Sequence, residues 1–122
     1  MVLVIEDNLD LVNLYKMALS LIKITAETEV TGPAALRRIE CQDTLPPKVV
    51  ILDLHLRGEN GIEVNGGELF EKMRKVWPQT KIIVASADIA WCQKFNGVAD
   101  MVLEKPIVSM THFLDQVQSM MA

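Results

Sequence analysis

The chain has 122 residues, of which 50% are hydrophobic, 23% are charged and 5% are aromatic. This length allows one domain, and the mixture excludes disordered, collagen-like and low-complexity chains. Twelve basic and sixteen acidic residues give a formal net charge of -4. Because the basic residues are also scattered, we expect no nucleic-acid surface within this chain.

The lengths of the apolar runs and the number of cysteines indicate the cellular compartment of the chain. The longest apolar runs, such as residues 1–5, span four or five residues, whereas a membrane span needs about 20. The first residues include no basic segment and are followed directly by Glu6 and Asp7, so no secretory signal is expected. Cys41 and Cys92 are interpreted as free, partly buried thiols rather than a disulfide. We therefore expect a cytoplasmic chain that does not contact membranes.

The first part of the chain predicts two strand–helix pairs. Residues 2–5 form a continuous apolar run, typical of a strand buried on both faces, and Asp7 or Asn8 is the expected cap of the helix that follows. Residues 24–30 alternate like a strand near a sheet edge, and residues 31–33 predict the start of a second helix. The apolar face of the first helix is expected to comprise Leu11, Leu14, Tyr15, Ala18, Leu21 and Ile22.

The rest of the chain predicts three more strands, at residues 49–52, 82–85 and 101–103. A glycine-rich polar stretch follows the first of these, and a short helix over residues 88–95 follows the second. The other two helices are expected to bury one stripe each, namely Leu69, Phe70, Met73 and Val76, and Met110, Phe113, Leu114, Val117 and Met121. Five strand–helix units in a row indicate an α/β fold, with a parallel sheet covered by helices on both faces.

Charged and polar groups stand at the ends of the predicted strands. Glu6 and Asp7 follow the first strand, Asp53 the third, Ser86 the fourth and Lys105 the fifth. In a parallel sheet these groups converge on one edge, where ligands of such folds bind. Carboxylates about 4 Å apart repel by about 4 kcal/mol per pair at an effective dielectric near 20, which predicts a raised carboxyl pKa. A positive charge is needed to offset this repulsion, and it can come from Lys105 or from a hard divalent cation with oxygen ligands.

Each of these residues also has an ordinary structural explanation. Asp7 can cap the first helix, and Asp53 can form a turn. Ser86 can satisfy a backbone group within a buried strand, and Lys105 can be a solvated surface lysine. The coincidence of all four at the expected strand ends favours a functional site.

Four segments carry a resemblance to a known family: VLVIEDN at 2–8, VILDL at 50–54, IVASA at 83–87 and LEKP at 103–106. At these residues the chain resembles the receiver domain of two-component response regulators, the CheY-like family. The resemblance covers essentially the whole chain and implies one domain over residues 1–122. It also implies a doubly wound, three-layer fold similar to flavodoxin, with strand order 2-1-3-4-5.

The resemblance further implies a role for each site residue. Asp53 would accept a phosphoryl group from a histidine kinase or phosphotransfer protein. Asp7 and Asp53 would bind Mg²⁺ directly, together with the backbone carbonyl of His55, while Glu6 would hold it through water.

Two further residues are implied to act on the phosphoryl group. Ser86 would reach a phosphoryl oxygen, and Lys105, joined to Pro106 by a cis peptide, would pair with its charge. The domain would then switch an effector domain or protein, or form a homodimer. It would be a signalling module rather than a metabolic enzyme, with only self-phosphorylation and autodephosphorylation activity.

Three alternatives stay open from the residues. A pseudo-receiver would be an interaction domain that is never phosphorylated, and retention of the strand-end residues argues against it. A phosphohydrolase of the haloacid dehalogenase type would need a second acid two residues after Asp53, where His55 stands. A flavodoxin-like cofactor carrier would need a phosphate-binding loop after the first strand, which the sequence lacks.

The sequence also departs from the family pattern. The loop after Asp53 is about five residues longer than usual and has Arg57 where proline is frequent. It is either a tolerated surface insertion or a flap hinged by Gly58, Gly61, Gly66 and Gly67. The interval from Ser86 to Lys105 is about three residues short, close to one helical turn, so the fourth helix should be short. Val102 replaces a frequent aromatic residue, which leaves the output route open.

Overall fold

The computed structural model describes residues 1–41 and 43–122, in which five strands and five helices alternate. The strands are β1 (Val2–Ile5), β2 (Ala26–Glu29), β3 (Val49–Asp53), β4 (Lys81–Ser86) and β5 (Met101–Glu104). The helices are α1 (Leu9–Leu21), α2 (Gly32–Glu40), α3 (Gly66–Val76), α4 (Ile89–Phe95) and α5 (Met110–Met121). The alternation follows the predicted order throughout.

The five strands form one parallel sheet in the order β2-β1-β3-β4-β5. In register, Ile5 lies beside Leu52 of β3 on one side and Glu29 of β2 on the other. The chain therefore reverses its winding direction at β1, and the crevice beyond β1 and β3 is the expected ligand position in such a sheet. The predicted fold class and strand order are confirmed.

Two apolar layers enclose the sheet because alternate residues of each strand point to opposite faces. One layer joins Leu3, Val50 and Ile82 to helices α2, α3 and α4. The other joins Val4 and Ile51 to helices α1 and α5. Burial on both faces explains the continuous apolar character of the central strands.

The buried face of α1 differs from the prediction. Tyr15 and Ala18 are buried as expected, but Val12 and Leu19 complete the buried stripe. Leu14 and Leu21 are 45% and 77% exposed, and Leu11 and Ile22 are half-buried. Apolar residues surround much of this helix, so two overlapping stripes have helical spacing, and packing against the sheet selects one of them.

Side-chain caps begin the helices. Asn8, rather than Asp7, caps α1 by accepting a hydrogen bond from the Leu11 amide at 3.2 Å. Thr31 caps α2, as its position before Gly32-Pro33 suggests. Asp88 caps α4, which has only seven residues, so the prediction of a short fourth helix is confirmed. Because Asn8 serves as the cap, Asp7 is not needed for it.

The two cysteines were expected to be free, partly buried thiols. Both cysteines are free; Cys92 is buried, but Cys41 is exposed rather than partly buried. Among residues 1–41 and 43–122, no helix has the length and apolar character to cross a membrane.

Candidate functional site

Three carboxylates meet at the carboxyl edge of the sheet. Glu6 and Asp7 directly follow β1, and Asp53 is the last residue of the neighbouring strand β3. One carboxylate oxygen of each lies within 4.8 Å of the other two. Glu6 and Asp53 are 1% and 5% exposed, while Asp7 is half-buried. The parallel register thus brings together the acidic residues that the strand-end pattern singled out.

Lys105 supplies positive charge to this acidic cluster. Its Nζ lies 2.5 Å from Oε1 of Glu6 and 3.4 Å from Oδ1 of Asp53. The backbone amide of Lys105 donates to the Ser86 carbonyl at 2.9 Å, which ties the lysine to the end of β4. The Lys105–Pro106 peptide bond is cis, as the resemblance implied. One ammonium group therefore bridges two carboxylates from different strands.

The pKa of Glu6 is raised above its usual value of 4.5. Burial of the carboxylate is the main cause, a hydrogen bond with Asp53 adds to it, and Lys105 acts in the opposite direction. Repulsion from Asp53 contributes as well. The expectation of a raised carboxyl pKa therefore holds for Glu6, but desolvation outweighs the mutual repulsion from which it was predicted.

The backbone after Asp53 is held close to its carboxylate. The amide of His55 donates to Oδ1 of Asp53 at 3.2 Å, and the amide of Gly66 donates to the Leu54 carbonyl at 3.1 Å. A Cβ on Gly66 would lie 2.5 Å from the Leu54 Cα and 2.7 Å from the Asp53 carbonyl oxygen. Glycine at this position thus lets the start of α3 pack directly against the end of β3.

Ser86 lies at the end of β4, one residue beyond Ala85, which pairs with Asp53. The serine is 1% exposed, and its Oγ accepts a hydrogen bond from the Asp88 amide at 3.0 Å. The hydroxyl proton stays available for donation because the oxygen acts as an acceptor in this contact. In this conformation Ser86 is joined to the loop before α4 rather than to the acidic cluster.

The side chain of His55 contacts α4, a relationship that the sequence pattern did not predict. Its ring meets the ring of Trp91 edge-on, with centroids 6.0 Å apart and an interplanar angle of 89°. Trp91 in turn stacks on Phe95, one helical turn further along. The sequence signal for this contact was the spacing of Trp91 and Phe95, which places both rings on one face of the short helix α4. His55 as a metal ligand through its carbonyl stays a prediction.

The long loop between β3 and α3 is attached to the start of α2. The Glu59 carboxylate accepts hydrogen bonds from the Thr31 hydroxyl and from the Arg37 guanidinium, the latter at 3.1 Å. These two groups lower the pKa of Glu59, the Thr31 hydrogen bond most. The Gly32 amide also donates to the Arg57 carbonyl at 3.0 Å. Sequence reasoning missed these contacts because the partners lie far apart along the chain.

Close packing accounts for two of the glycines considered as hinges. A Cβ on Gly58 would lie 2.4 Å from the Ile62 carbonyl oxygen, and Gly66 packs against β3 as described. Of the four loop glycines, Gly61 has a positive φ, at 77°. Close approach of the backbone therefore explains glycine at positions 58 and 66 without a hinge at either position.

The sequence matches a model of the response regulator receiver domain over residues 2–118. Because this match spans almost the whole chain, the chain belongs to the response regulator receiver domain family of two-component systems. No match was found among curated proteins.

Solved receiver domains share the fold. The receiver domain of NtrX from Brucella abortus is 22% identical at a TM-score of 0.80, covering 98% of this chain and 97% of that one. The response regulator TrrA from Thermotoga maritima, solved in complex with Mg²⁺ and BeF, is also 22% identical at a TM-score of 0.80, with 98% and 96% covered. A CheY-like receiver domain protein from Methanospirillum hungatei is 22% identical at a TM-score of 0.77, with 97% and 90% covered.

Proposed function

We propose that residues 1–122 form a phosphoacceptor receiver domain, which takes a phosphoryl group onto Asp53 from a histidine kinase or a phosphotransfer protein. The observation that carries this proposal is the acidic cluster of Glu6, Asp7 and Asp53, bridged by Lys105. Such a buried concentration of carboxylates costs folding free energy. A role in binding a cation and a phosphoryl group explains why the chain maintains it.

Asp53 is the nucleophile in this proposal. One of its carboxylate oxygens attacks the phosphorus of a phosphohistidine, the phosphorus–nitrogen bond breaks, and an acyl phosphate forms on the aspartate. The His55 amide, which lies 3.2 Å from Oδ1, helps to orient the carboxylate. Hydrolysis of the acyl phosphate returns the domain to its starting state, so the domain acts as a switch rather than as a metabolic enzyme.

The proposed metal ligands are Asp7, Asp53 and the His55 carbonyl, with Glu6 holding a metal-bound water. The carboxylate spacing of the cluster suits a hard cation with oxygen ligands, and Mg²⁺ keeps several of its waters in such sites. When bound, Mg²⁺ offsets the negative charge that otherwise separates the acceptor from the incoming phosphoryl group. The half-buried side chain of Asp7 remains accessible from solvent, which supports its role as a direct ligand.

Lys105 and Ser86 are the proposed groups that detect the phosphoryl group. Lys105 already lies 3.4 Å from Asp53, so it can pair with the charge that phosphorylation adds. Ser86 has a donor proton available and is joined to Asp88 at the start of α4. Movement of Ser86 toward a phosphoryl oxygen therefore changes the loop before α4, which supports a switch in binding of an effector domain or protein. A homodimer is an alternative output, and the free thiols support a cytoplasmic location.

Intact-mass measurement after incubation with acetyl phosphate and Mg²⁺ tests this function. One added phosphoryl mass is expected for the wild type and for the control Asp115→Asn, which alters an exposed carboxylate on α5. No added mass is expected for Asp53→Asn. A wild type that stays unmodified by acetyl phosphate and by phosphorylated kinase would support the pseudo-receiver alternative. A labelled Asp53→Asn variant would place the acceptor elsewhere.

A further inference from the structure

A buried hydroxyl group lies in the apolar layer beneath the acidic cluster. Tyr15 is 0% exposed, and its hydroxyl has no hydrogen-bond partner in the described part of the chain. Among the described residues it is the single buried side-chain nitrogen or oxygen in this condition. Because an unpartnered buried hydroxyl is unfavourable, its retention calls for an explanation in function. The receiver chemistry proposed above does not use it.

The position of Tyr15 directs the phenol toward the acidic cluster. Its ring packs in the same layer as Val4 and Ile51, and the residues two positions further along those strands are Glu6 and Asp53, which therefore project to the same face. Side chains of a helix lean toward its N-terminus, and α1 begins just beyond the carboxyl end of β1. The phenol of Tyr15 accordingly extends along the sheet toward the strand ends.

The surroundings of the Tyr15 ring are aromatic on one side and include the charge of the acidic cluster. Phe113 of α5 holds the ring in place, with centroids 5.5 Å apart and an interplanar angle of 45°. The pKa of Tyr15 is raised mainly by burial, and the charged groups that raise it further are Glu6 and Asp53. The hydroxyl therefore stays protonated, so it is a neutral donor in the layer from which Glu6 and Asp53 raise its pKa.

Glu6 is the acceptor that would lose its partner if Lys105 moved to a phosphoryl group. Its Oε1 accepts from Lys105, and its Oε2 accepts from the Asn8 amide at a longer 3.4 Å. If Lys105 turns to a phosphoryl group on Asp53, the buried Glu6 carboxylate loses its strongest donor. A neutral hydroxyl below it can replace that bond without adding positive charge beside a metal ion.

We propose that Tyr15 is a positioning residue for Glu6, whose hydroxyl donates a hydrogen bond to the Glu6 carboxylate when Lys105 leaves it. This inference rests on the proposed function, since it concerns the loaded state of the same site. The bond keeps the Glu6 carboxylate oriented toward the metal-bound water that it is proposed to hold. Tyr15 thereby couples the packing between α1 and α5 to occupancy of the site.

Raman spectroscopy can test this directly because Tyr15 is the single tyrosine of the chain. The tyrosine doublet of the wild type is recorded without ligand and with Mg²⁺ plus beryllofluoride, which stands in for the phosphoryl group. We expect the doublet to change from that of an unbonded phenol to that of a hydrogen-bond donor. An unchanged doublet in the loaded protein, or a donor signature already present without ligand, would overturn the inference.

The matched variants are Tyr15→Phe and Ile39→Val, the latter in the apolar layer on the opposite face of the sheet. Tyr15→Phe should weaken beryllofluoride binding in the presence of Mg²⁺ about tenfold, the effect of one hydrogen bond to a charged group, while the ligand-free melting temperature stays equal or rises. Ile39→Val should lower that melting temperature by loss of packing, with beryllofluoride affinity unchanged. Wild-type affinity in Tyr15→Phe would overturn the inference alone. Absence of any Mg²⁺-dependent beryllofluoride binding by the wild type would overturn the proposed function and this inference together.

Discussion

Lys105 contacts Glu6 more closely than it contacts Asp53, with Nζ–oxygen distances of 2.5 and 3.4 Å. Counting side-chain atoms alone, Lys105 is 18% exposed, whereas Glu6 is 2% and Asp53 is 7% exposed. In the state described by the structure, the ammonium group is therefore shared between the proposed phosphoacceptor and the carboxylate that is proposed to hold a water ligand. Movement of Lys105 from Glu6 toward Asp53 is the simplest change that the proposed phosphorylation of Asp53 would produce.

Replacing Lys105 by alanine should destabilise the metal-free protein, because it leaves two buried carboxylates without a cation. The expected loss in free energy of unfolding is about 1–3 kcal/mol, between the values for exposed and buried ion pairs. Urea denaturation measures it, with Lys81→Ala as the control, since Lys81 lies at 3.9 Å from Asp100 and is 54% exposed. The Lys105→Ala variant should still bind Mg²⁺ but lose the conformational response to beryllofluoride. Equal stability of both variants would contradict the bridging role.

Replacing Asp7 by asparagine should weaken the response of the melting temperature to Mg²⁺. A ligand that binds only the native state raises the melting temperature with its concentration, and Asp7 is a proposed direct ligand. The variant should also be slightly more stable without metal, because one charge of the acidic cluster is removed. Asp115→Asn, which changes an exposed carboxylate, should respond to Mg²⁺ as the wild type does. A wild-type melting temperature that does not change with millimolar Mg²⁺ would favour the pseudo-receiver.

The raised pKa of Glu6 predicts how stability depends on pH in the absence of metal. Since the folded state holds the Glu6 proton more tightly than the unfolded state does, this group stabilises the fold fully below its usual value of 4.5. That contribution is lost as the pH rises through the raised pKa. Glu6→Gln should therefore show a smaller fall in free energy of unfolding from pH 4.5 upward, measured by urea denaturation. The same slope in both proteins would show that Glu6 is not the group responsible.

Amide exchange with and without Mg²⁺ and beryllofluoride should locate the switching segments. We expect protection to change at residues 54–66 and 86–90, because the His55 amide contacts Asp53 and the Asp88 amide contacts Ser86. Residues 101–103 should change little, since Val102 has a stiff side chain without a ring that could rotate inward. If protection changes mainly in β5 and α5 and stays unchanged in the long loop, the proposed route of the signal through residues 54–66 and 86–90 is wrong.

The attachment of the long loop to α2 predicts a separate effect. Glu59→Ala removes the acceptor for both the Thr31 hydroxyl and the Arg37 guanidinium, so amide exchange at residues 57–62 should become faster without ligand. Arg37→Ala should have a smaller effect, because the Thr31 hydrogen bond remains. Unchanged exchange in Glu59→Ala would show that the backbone contacts of the loop suffice to hold it.

Much of the architecture could be predicted from the sequence because it depends on local patterns. The apolar run at β1 and the alternation of strands with helices predict a parallel sheet, whose strand ends share one edge by backbone direction alone. The strand-end positions of Glu6, Asp7 and Asp53 therefore predict that these three carboxylates lie together. The resemblance to receiver domains then implied which of them accepts a phosphoryl group.

Other features depend on contacts between segments far apart in the chain. Tertiary packing selected Val12 and Leu19 for the buried face of α1, because several apolar stripes of that helix have the right spacing. It also brought Trp91 of α4 against His55, and Arg37 of α2 against Glu59. Local sequence patterns do not predict such pairings, since they depend on helix length, loop path and side-chain reach.

The same distinction holds within the site. The strand-end pattern predicts that carboxylates and a lysine meet at one sheet edge, since strand direction and side-chain alternation are properties of the backbone. Tertiary packing determines that Lys105 binds Glu6 more closely than Asp53, that burial dominates the Glu6 pKa, and that the Tyr15 hydroxyl is buried without a partner in the described part of the chain. Those outcomes depend on desolvation and on distances of a few ångströms between side chains from different elements, which no local pattern specifies.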